Sequence, residues 1–296
     1  TVVSRYLRVT STTASSIYLS RASMASKPQS TAQESKSNNV TETTPVKSPA
    51  DPRDYKIFTL SNDLECILVS DAEAEKAACA LCVRVGHFAD PDSLPGLAHF
   101  LEHMLFLGTK KYPNEAEYKQ FLEDHGGSSN ASTGMHDTCY QFDVGSEHLE
   151  EAVDRFAQFF IDPLFTESAT DRELNAVNSE NSNNQQSDPH RIYQFDKSLA
   201  LPSHPFHKFG TGNIQTLKEN VDKSIDVRKE LLAFHDQYYS SSIMKLAIVG
   251  KQDLDVLEKL VREKFAAVHN KKNQAPTYSD QVYDKSVNPI LYKLVP

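Results

Sequence analysis

The chain has 296 residues, of which 39% are hydrophobic and 24% are charged, and its formal net charge is −9 at pH 7. This composition is that of a globular protein, and the acidic balance argues against nucleic acid as the main partner, because nucleic-acid binders usually carry a basic patch. No run of eighteen apolar residues occurs, so we expect no transmembrane helix.

Residues 1–50 differ in composition from the rest of the chain. They are rich in Ser and Thr, poor in large apolar side chains, and hold six Lys/Arg against two Glu. Such a segment cannot bury enough apolar surface to fold, so we expect it to be disordered. Arg5, Arg8 and Arg21, with no acid in the first two dozen residues, are typical of a mitochondrial transit peptide, although an ordinary disordered tail explains them equally well. Met24 would serve as an internal start for a cytosolic form, so the expected location is cytoplasmic, mitochondrial or both.

The folded part is expected to begin at residue 51. Hydrophobic periodicity predicts strands over 55–60, 64–69 and 78–85, helices over 95–107 and 114–124, strands over 128–133 and 138–144, helices over 147–160, 170–180 and 226–239, a strand over 244–250 and a helix over 253–265. A polar stretch follows, and an apolar segment begins near residue 290. We therefore expect one domain over 51–275, with a linker and the start of a second, truncated domain over 276–296.

The stretch over residues 94–108 holds the most chemistry. His99, Glu102 and His103 form the pattern H-x-x-E-H, with Pro95 near the expected helix start and Gly108 near its end. Residues four apart share a helix face, so both imidazoles could bind the same zinc ion. The carboxylate borders that face, where it would act on a water molecule instead of binding the ion. The pattern also fits two core histidines beside a surface glutamate.

A third zinc ligand could come from the helix predicted over 170–180. Zinc held by two His usually takes a further protein ligand, often Glu, and leaves a fourth position open. Glu173 and Glu180 are seven residues apart and therefore lie on one helix face. Glu180 is the candidate ligand and Glu173 a candidate support for the site. Two carboxylates on a solvated helix face are the plainer explanation.

The strand predicted over 128–133 consists of small polar residues and would make a poor core strand. At a sheet edge, such a strand leaves its backbone groups free to pair with an extended peptide. A simple solvent-facing edge explains the same composition.

The four cysteines are too few and too scattered for a disulfide scaffold, and a reducing compartment fits them. Cys79 and Cys82 lie three apart in a predicted strand. They would point to opposite faces of it and could not share a metal ion.

Beyond single motifs, the chain resembles the insulysin (insulin-degrading enzyme) group of inverted-motif, pitrilysin-type zinc peptidases, including its fungal members. The resemblance covers roughly residues 52–296. It rests on residues 96–109 (GLAHFLEHMLFLGT), 111–115 (KYPNE), 127–131 (GSSNA), 154–160 (DRFAQFF), 173–180 (ELNAVNSE) and 208–213 (KFGTGN).

The resemblance implies an α+β fold, with helices packed on a largely antiparallel or mixed sheet, and one zinc ion per chain. The implied roles are zinc ligands at His99, His103 and Glu180, a catalytic base at Glu102, an acidic support at Glu173 and substrate-backbone pairing at Asn130 and Ala131. The family acts on peptides within a chamber made of two halves. The C-terminal half, which this chain lacks, supplies further site residues, so the chain alone is expected to be poorly active.

The predicted function is therefore a zinc metalloendopeptidase that hydrolyses short to medium peptides. Two alternatives stay open. A mitochondrial presequence-processing subunit shares the motif and would suit a transit peptide, and a non-catalytic binding protein could share the fold. The KFGTGN loop and the setting of Asn130 and Ala131 favour the insulysin type, and the intact motif with Glu180 argues against a non-catalytic protein. The oligomeric state, including a homo-oligomer, is left open.

Overall fold

The centre of the fold is a six-stranded mixed β-sheet. The structure, a computed structural model, describes residues 45–284 and residue 286. In chain order the strands are β1 (Asp54–Thr59), β2 (Glu65–Ser70), β3 (Lys76–Val83), β4 (Ser128–Thr133), β5 (Thr138–Gly145) and β6 (Met244–Gly250). Their order across the sheet is β1-β2-β6-β3-β5-β4, in which only β2 and β6 run parallel. Within the described residues, the edge position of β4 leaves one side of its backbone without a neighbouring strand.

Seven α-helices accompany the sheet in the described part of the chain. They are α1 (Leu97–Met104), α2 (Glu117–Asp124), α3 (Leu149–Gln158), α4 (Glu167–Asn184), α5 (Asp188–Ser198), α6 (Val227–Tyr238) and α7 (Leu254–Phe265). None of these helices is long and apolar enough to cross a membrane.

One face of the sheet forms the main core. Along β3, residues that are fully buried alternate with residues that are partly exposed, as expected for a strand covered on one side. Helices α3 and α7 pack on the covered face, and α1 lies beside β4. Helix α1 is nearly all buried, so its polar side chains have a fixed position relative to the edge strand.

The predicted α+β architecture is confirmed, and the predicted strands and helices are present with shifted ends. Helix α1 begins at Leu97 because Gly96 has a left-handed backbone (φ 95°), and Gly108 is left-handed as expected (φ 91°) although the helix itself ends at Met104. Helix α4 begins earlier than predicted because the Thr166 hydroxyl accepts a hydrogen bond from the backbone N–H of Ala169 (3.2 Å). Helix α5 was not predicted from the sequence.

The cysteines give one correction. Cys79 is buried and Cys82 is half-buried on the other face of β3, so the prediction that they cannot share a metal ion is confirmed. The expectation of reduced cysteines is wrong for one pair, because Cys82 forms a disulfide with Cys139. The two residues lie directly opposite in the β3–β5 register although they are 57 positions apart in sequence. Sequence spacing alone did not reveal this neighbour.

Two predictions concern residues outside the described part of the chain. Most of the predicted disordered segment and the whole apolar segment near residue 290 lie there. The described residues up to Tyr283 belong to one compact unit. The domain limits at residues 51 and 275 remain predictions.

Candidate metal centre

Helix α1 is anchored at its start by a buried carboxylate. Asp90 is 2% exposed and accepts hydrogen bonds from the backbone N–H groups of Gly96 (2.7 Å) and Ala98 (2.8 Å). These N–H groups have no partner within the helix, so Asp90 satisfies two free donors of the first turn. Burial raises the pKa of Asp90 to about 7, while the two backbone hydrogen bonds act in the opposite direction. The anchor fixes the helix just before His99.

Three side chains converge on one point beside this helix. His99 and His103 lie on the same face of α1 with ring centroids 4.8 Å apart, and Glu180 approaches from α4. The Nε2 atom of each imidazole is 3.5 Å from Oε2 of Glu180. Among the described residues, only this group of His, Cys, Asp and Glu brings three ligand atoms within 4.8 Å of one another.

The other ring nitrogen of each histidine is held by an acceptor. Nδ1 of His99 lies 2.7 Å from the carbonyl oxygen of Thr211, and Nδ1 of His103 lies 2.7 Å from Oε1 of Glu173. A carbonyl or carboxylate oxygen can only accept, so each Nδ1 carries the proton and donates it. Each Nε2 then faces Glu180 and is the ring nitrogen left for a metal ion.

This donor set fits zinc. Zinc in catalytic sites takes two or three imidazoles with a carboxylate and keeps one position open, at bond lengths of about 2.0–2.1 Å that put tetrahedral donors about 3.3–3.4 Å apart. The 3.5 Å separations between each Nε2 and Glu180 Oε2 are close to that spacing. Hydrogen bonds from the opposite ring nitrogens to oxygen acceptors are the usual support of metal-binding histidines. The residues present therefore suit a single zinc ion.

The carboxylates around the two imidazoles shift the pKa values of the site. Burial alone disfavours a charged ring, but the hydrogen bonds with Glu173 and Glu180 outweigh it and raise the pKa of His103 to about 9. The hydrogen bond with His103 lowers the pKa of Glu180. The site therefore favours a positive charge between its side chains, which a metal cation would supply in place of a proton.

Glu102 lies next to His99, His103 and Glu180 but is not one of the candidate metal ligands. Its carboxyl is 7% exposed, and Oε2 accepts a hydrogen bond from the hydroxyl of Thr133 at 2.5 Å. Burial raises the pKa of Glu102, and the Thr133 hydrogen bond opposes that shift. Since Thr133 ends strand β4, this contact ties the carboxylate to the edge of the sheet.

The site opens into a cleft of about 720 Å³. One wall is strand β4, including Asn130 and Ala131, and another is helix α5 through His190, Tyr193 and Gln194. An open sheet edge beside a group of metal-ligating side chains can hold an extended peptide by backbone hydrogen bonds. All seven residues singled out in the sequence line this cleft.

Sequence reasoning missed three residues that build the site. Asp90 accepts a hydrogen bond from the backbone N–H of Ala98, and the Thr133 hydroxyl donates one to Glu102. The Thr211 carbonyl accepts one from the ring of His99. Thr211 lies in the KFGTGN loop and acts through its backbone carbonyl, 112 residues from its partner. A backbone acceptor leaves no signal in residue type, and only the resemblance of the loop pointed to it.

Comparison with known proteins gives matches over most of the chain. A sequence model described as insulinase (peptidase family M16) matches residues 65–203, and one described as peptidase M16 inactive domain matches residues 226–293. The human insulin-degrading enzyme is 49% identical over 252 residues, which cover 85% of this chain and 25% of that protein. A Schizosaccharomyces pombe protein named as a zinc protease is 48% identical over 244 residues, which cover 82% of this chain and 25% of that protein.

The fold is also found among solved structures. The crystal structure of pitrilysin superposes with a TM-score of 0.79 and 37% sequence identity, over 83% of this chain and 26% of that one. The chain thus spans about a quarter of the length of the relatives that it matches.

Proposed function

The chain belongs to the insulinase family, peptidase family M16, and from this premise we propose that it carries the zinc site of an endopeptidase that hydrolyses short to medium peptides. The observation that carries the proposal is the convergence of His99, His103 and Glu180 beside the open edge of β4. A metal site and a peptide-binding edge in one cleft are what peptide-bond hydrolysis by a metallopeptidase requires.

His99 and His103 would bind zinc through Nε2, and Glu180 through a carboxylate oxygen. Bound there, zinc would act as a Lewis acid that lowers the pKa of water and polarises the scissile carbonyl. Glu173 would keep the His103 ring in the orientation that its 2.7 Å hydrogen bond sets.

Glu102 would be the proton carrier of the reaction. Its carboxylate takes a proton from the attacking water and passes it to the nitrogen of the leaving amine. Burial supports this role, because the raised pKa of Glu102 makes its protonated form easier to reach during the reaction. The Thr133 hydroxyl holds one carboxylate oxygen, which fixes the other relative to the cleft.

The peptide would lie along β4 as an added strand. Asn130 and Ala131 are in the middle of this edge strand and line the cleft, so their backbone groups are placed for pairing with an extended chain. Backbone pairing is independent of side chains, which suits an enzyme that accepts varied peptides.

We further propose that this chain works with a C-terminal half. The chain spans about a quarter of its relatives' length, and its cleft is open to one side. Residues from the missing part would close the cleft and complete the site, so the chain alone would bind zinc yet turn over slowly. Whether it also forms a homo-oligomer is a separate question, answered by its mass in solution.

The location remains a proposal as well. The basic, acid-poor start of the sequence supports the mitochondrion, and an internal start at Met24 would support the cytoplasm. The Cys82–Cys139 disulfide is more typical of oxidising compartments than of the cytosol. Non-reducing peptide mapping of protein from fractionated cells would tell in which compartment the bonded form occurs.

The test of the proposed function is a digest. The chain, supplied with the C-terminal half of its enzyme and with zinc, is incubated with an insulin-sized peptide and with a mitochondrial presequence peptide, and products are identified by mass. Cleavage of the insulin-sized peptide at several bonds supports the proposal. Preference for one site in the presequence peptide would favour a processing subunit instead. Zinc binding without cleavage of either peptide would favour the non-catalytic alternative.

A further inference from the structure

Helix α5 forms one wall of the cleft, and most of its residues are exposed or half-buried. All its residues are described, and the only buried one among them is Lys197. Ile192 and Tyr193 are 43% and 36% exposed, although apolar residues normally provide the contact between a helix and the core. The buried residue of this helix is therefore a lysine, whereas an amphipathic helix would bury leucine or valine at such a position.

The amine of Lys197 reaches deep into the protein. The residue is 1% exposed, and Nζ lies 3.0 Å from Nε2 of His87. Nζ also lies over the rings of Tyr193 and Phe206, at 5.2 and 5.8 Å from their centroids. No carboxylate of the described residues lies within 4.0 Å of it, so its strong polar partner is the histidine ring. Burial lowers the pKa of Lys197 to about 8 and that of His87 to about 3, so the amine donates to a neutral ring.

His87 connects the amine to the rest of the site. Its backbone N–H donates to the carbonyl of Gly134, in the turn that follows β4. Its ring lies against Gly210, where an added Cβ would come within 2.5 Å of it, and Gly210 precedes the Thr211 carbonyl that holds His99. His87 therefore contacts the turn of the peptide-binding hairpin through its backbone, and its imidazole contacts the loop that orients a metal ligand.

We propose that Lys197 and His87 are a positioning pair, whose hydrogen bond holds helix α5 as the wall of the peptide cleft. Both residues line the cleft, and neither belongs to the group of candidate metal ligands. The pair sets the distance between α5, which presents His190 and Tyr193 to the cleft, and the β4 edge along which the peptide lies. The inference rests on the proposed function for its effect on peptides, but the attachment of α5 can be tested without it.

A buried amine makes this attachment unlike ordinary packing. Removing a charged amine from water is costly, and its hydrogen bond to His87 offsets only part of that cost. Weaker contacts supplement the pair, among them the edge-to-face rings of Tyr193 and Phe206 and the hydrogen bond from the Tyr283 hydroxyl to Asp196 (2.8 Å). Tyr193 and Tyr283 are both partly exposed, whereas Lys197 and His87 are both buried.

The experiment compares Lys197→Met, His87→Phe and the double variant, all in a Glu102→Gln background that keeps bound peptide intact. Met retains the length of the lysine side chain without its amine, and Phe retains a ring against Gly210 without Nε2. Arg191→Met is the matched control, because it removes a cation from the same helix, where the Arg191 guanidinium pairs with the exposed Asp188 (3.5 Å). Each protein is measured for amide hydrogen exchange, zinc content and affinity for a 20-residue peptide.

We expect the amides of α5 to exchange about ten- to a hundredfold faster in both single variants, the range for loss of a buried hydrogen bond to a charged group. Exchange in β5 should not change. Peptide affinity should fall about tenfold, zinc content should stay at the parent value, and Arg191→Met should match the parent. The double variant should lose no more than the more affected single variant, because both substitutions remove the same bond.

Unchanged α5 exchange in both single variants would overturn the inference, and so would additive losses in the double variant. Faster exchange spread evenly over α5 and β5 would also overturn it, since it indicates general destabilisation. A parent that binds neither zinc nor peptide would contradict the proposed function instead, and the exchange of α5 would still decide the inference.

Discussion

His103 donates its Nδ1–H to Oε1 of Glu173 over 2.7 Å, and this bond determines which ring nitrogen is free. Because Nδ1 is engaged in this bond, Nε2 is the nitrogen that faces Glu180, 3.5 Å away, and that is left for a metal ion. The backbone carbonyl of Thr211 acts on His99 in the same way. Two acceptors from different parts of the chain thus prepare both imidazoles for one cation.

The first prediction concerns this pair of imidazoles. The purified chain should hold about one zinc ion, and His99→Ala or His103→Ala should abolish binding, because two remaining ligands do not retain zinc. The measurement is metal content after dialysis. His190→Ala is the control, since His190 lines the same cleft but lies outside the donor group, and it should keep its zinc. Full zinc in either of the first two variants would contradict the site.

The second prediction separates ligand from support on helix α4. Glu180→Gln should weaken zinc affinity strongly, because it removes a donor that faces both Nε2 atoms. Glu173→Gln should weaken it by about 10–100-fold, the usual effect of changing a partner of a metal-binding histidine. Competition with a chelator of known affinity measures both. Substitution of the exposed Glu167 on the same helix to Gln provides a control. A larger loss of zinc affinity in Glu173→Gln than in Glu180→Gln would mean that the two roles are reversed.

Local spacing made part of this site predictable. The i,i+4 separation of His99 and His103 fixes their shared face in any helix, so their convergence follows from the sequence alone. Glu180 was only a candidate, because its approach depends on how α4 packs against α1. Helix α5 was not predicted because its sequence lacks an apolar stripe. The residue that it buries is a lysine. Contacts that bridge over a hundred residues, such as Thr211 with His99, required the fold.

The third prediction tests the anchor of helix α1. Asp90→Ala should lower the free energy of unfolding by about 1–3 kcal/mol, because it leaves the buried N–H groups of Gly96 and Ala98 without partners. Urea denaturation measures the change. Asp92→Ala is the matched control, since that side chain is 90% exposed and pairs only with Lys208 (3.1 Å), and it should change stability little. Equal effects of the two substitutions would contradict the anchoring role.

The fourth prediction is a pH dependence of stability. His235 is half-buried and packs against Phe165 and Tyr239, and desolvation of its ring lowers its pKa from 6.5 to about 4. The folded protein therefore binds this proton less readily than the unfolded chain. The stability that His235 contributes by staying neutral is fully present above about pH 6.5 and is lost as the pH falls through about 4. The free energy of unfolding should decrease across that window.

His235→Phe checks the assignment, because phenylalanine keeps a ring in the same place but does not titrate. Urea denaturation at pH 7.5, 6 and 5 should show a shallower decline in the variant than in the parent. Each proton taken up on unfolding adds about 1.4 kcal/mol per pH unit to the slope, so the difference is measurable. Parallel curves for the two proteins would exclude His235 as a source of acid sensitivity.

The last prediction concerns Glu102, which lies on helix α1 with His99 and His103 but outside the donor group. Its carboxylate is held by Thr133 at the end of the edge strand, so it faces both the site and the expected path of the peptide. Glu102→Gln keeps the size and the hydrogen bonding of the side chain but cannot accept a proton. With the C-terminal half supplied, the variant should hold zinc and bind peptide normally, yet lose about 10²–10⁴-fold in turnover, the usual contribution of a general base. Zinc content, peptide affinity and cleavage rate are measured on one preparation. Loss of zinc together with activity would make Glu102 a ligand, and near-normal cleavage would remove it from the mechanism.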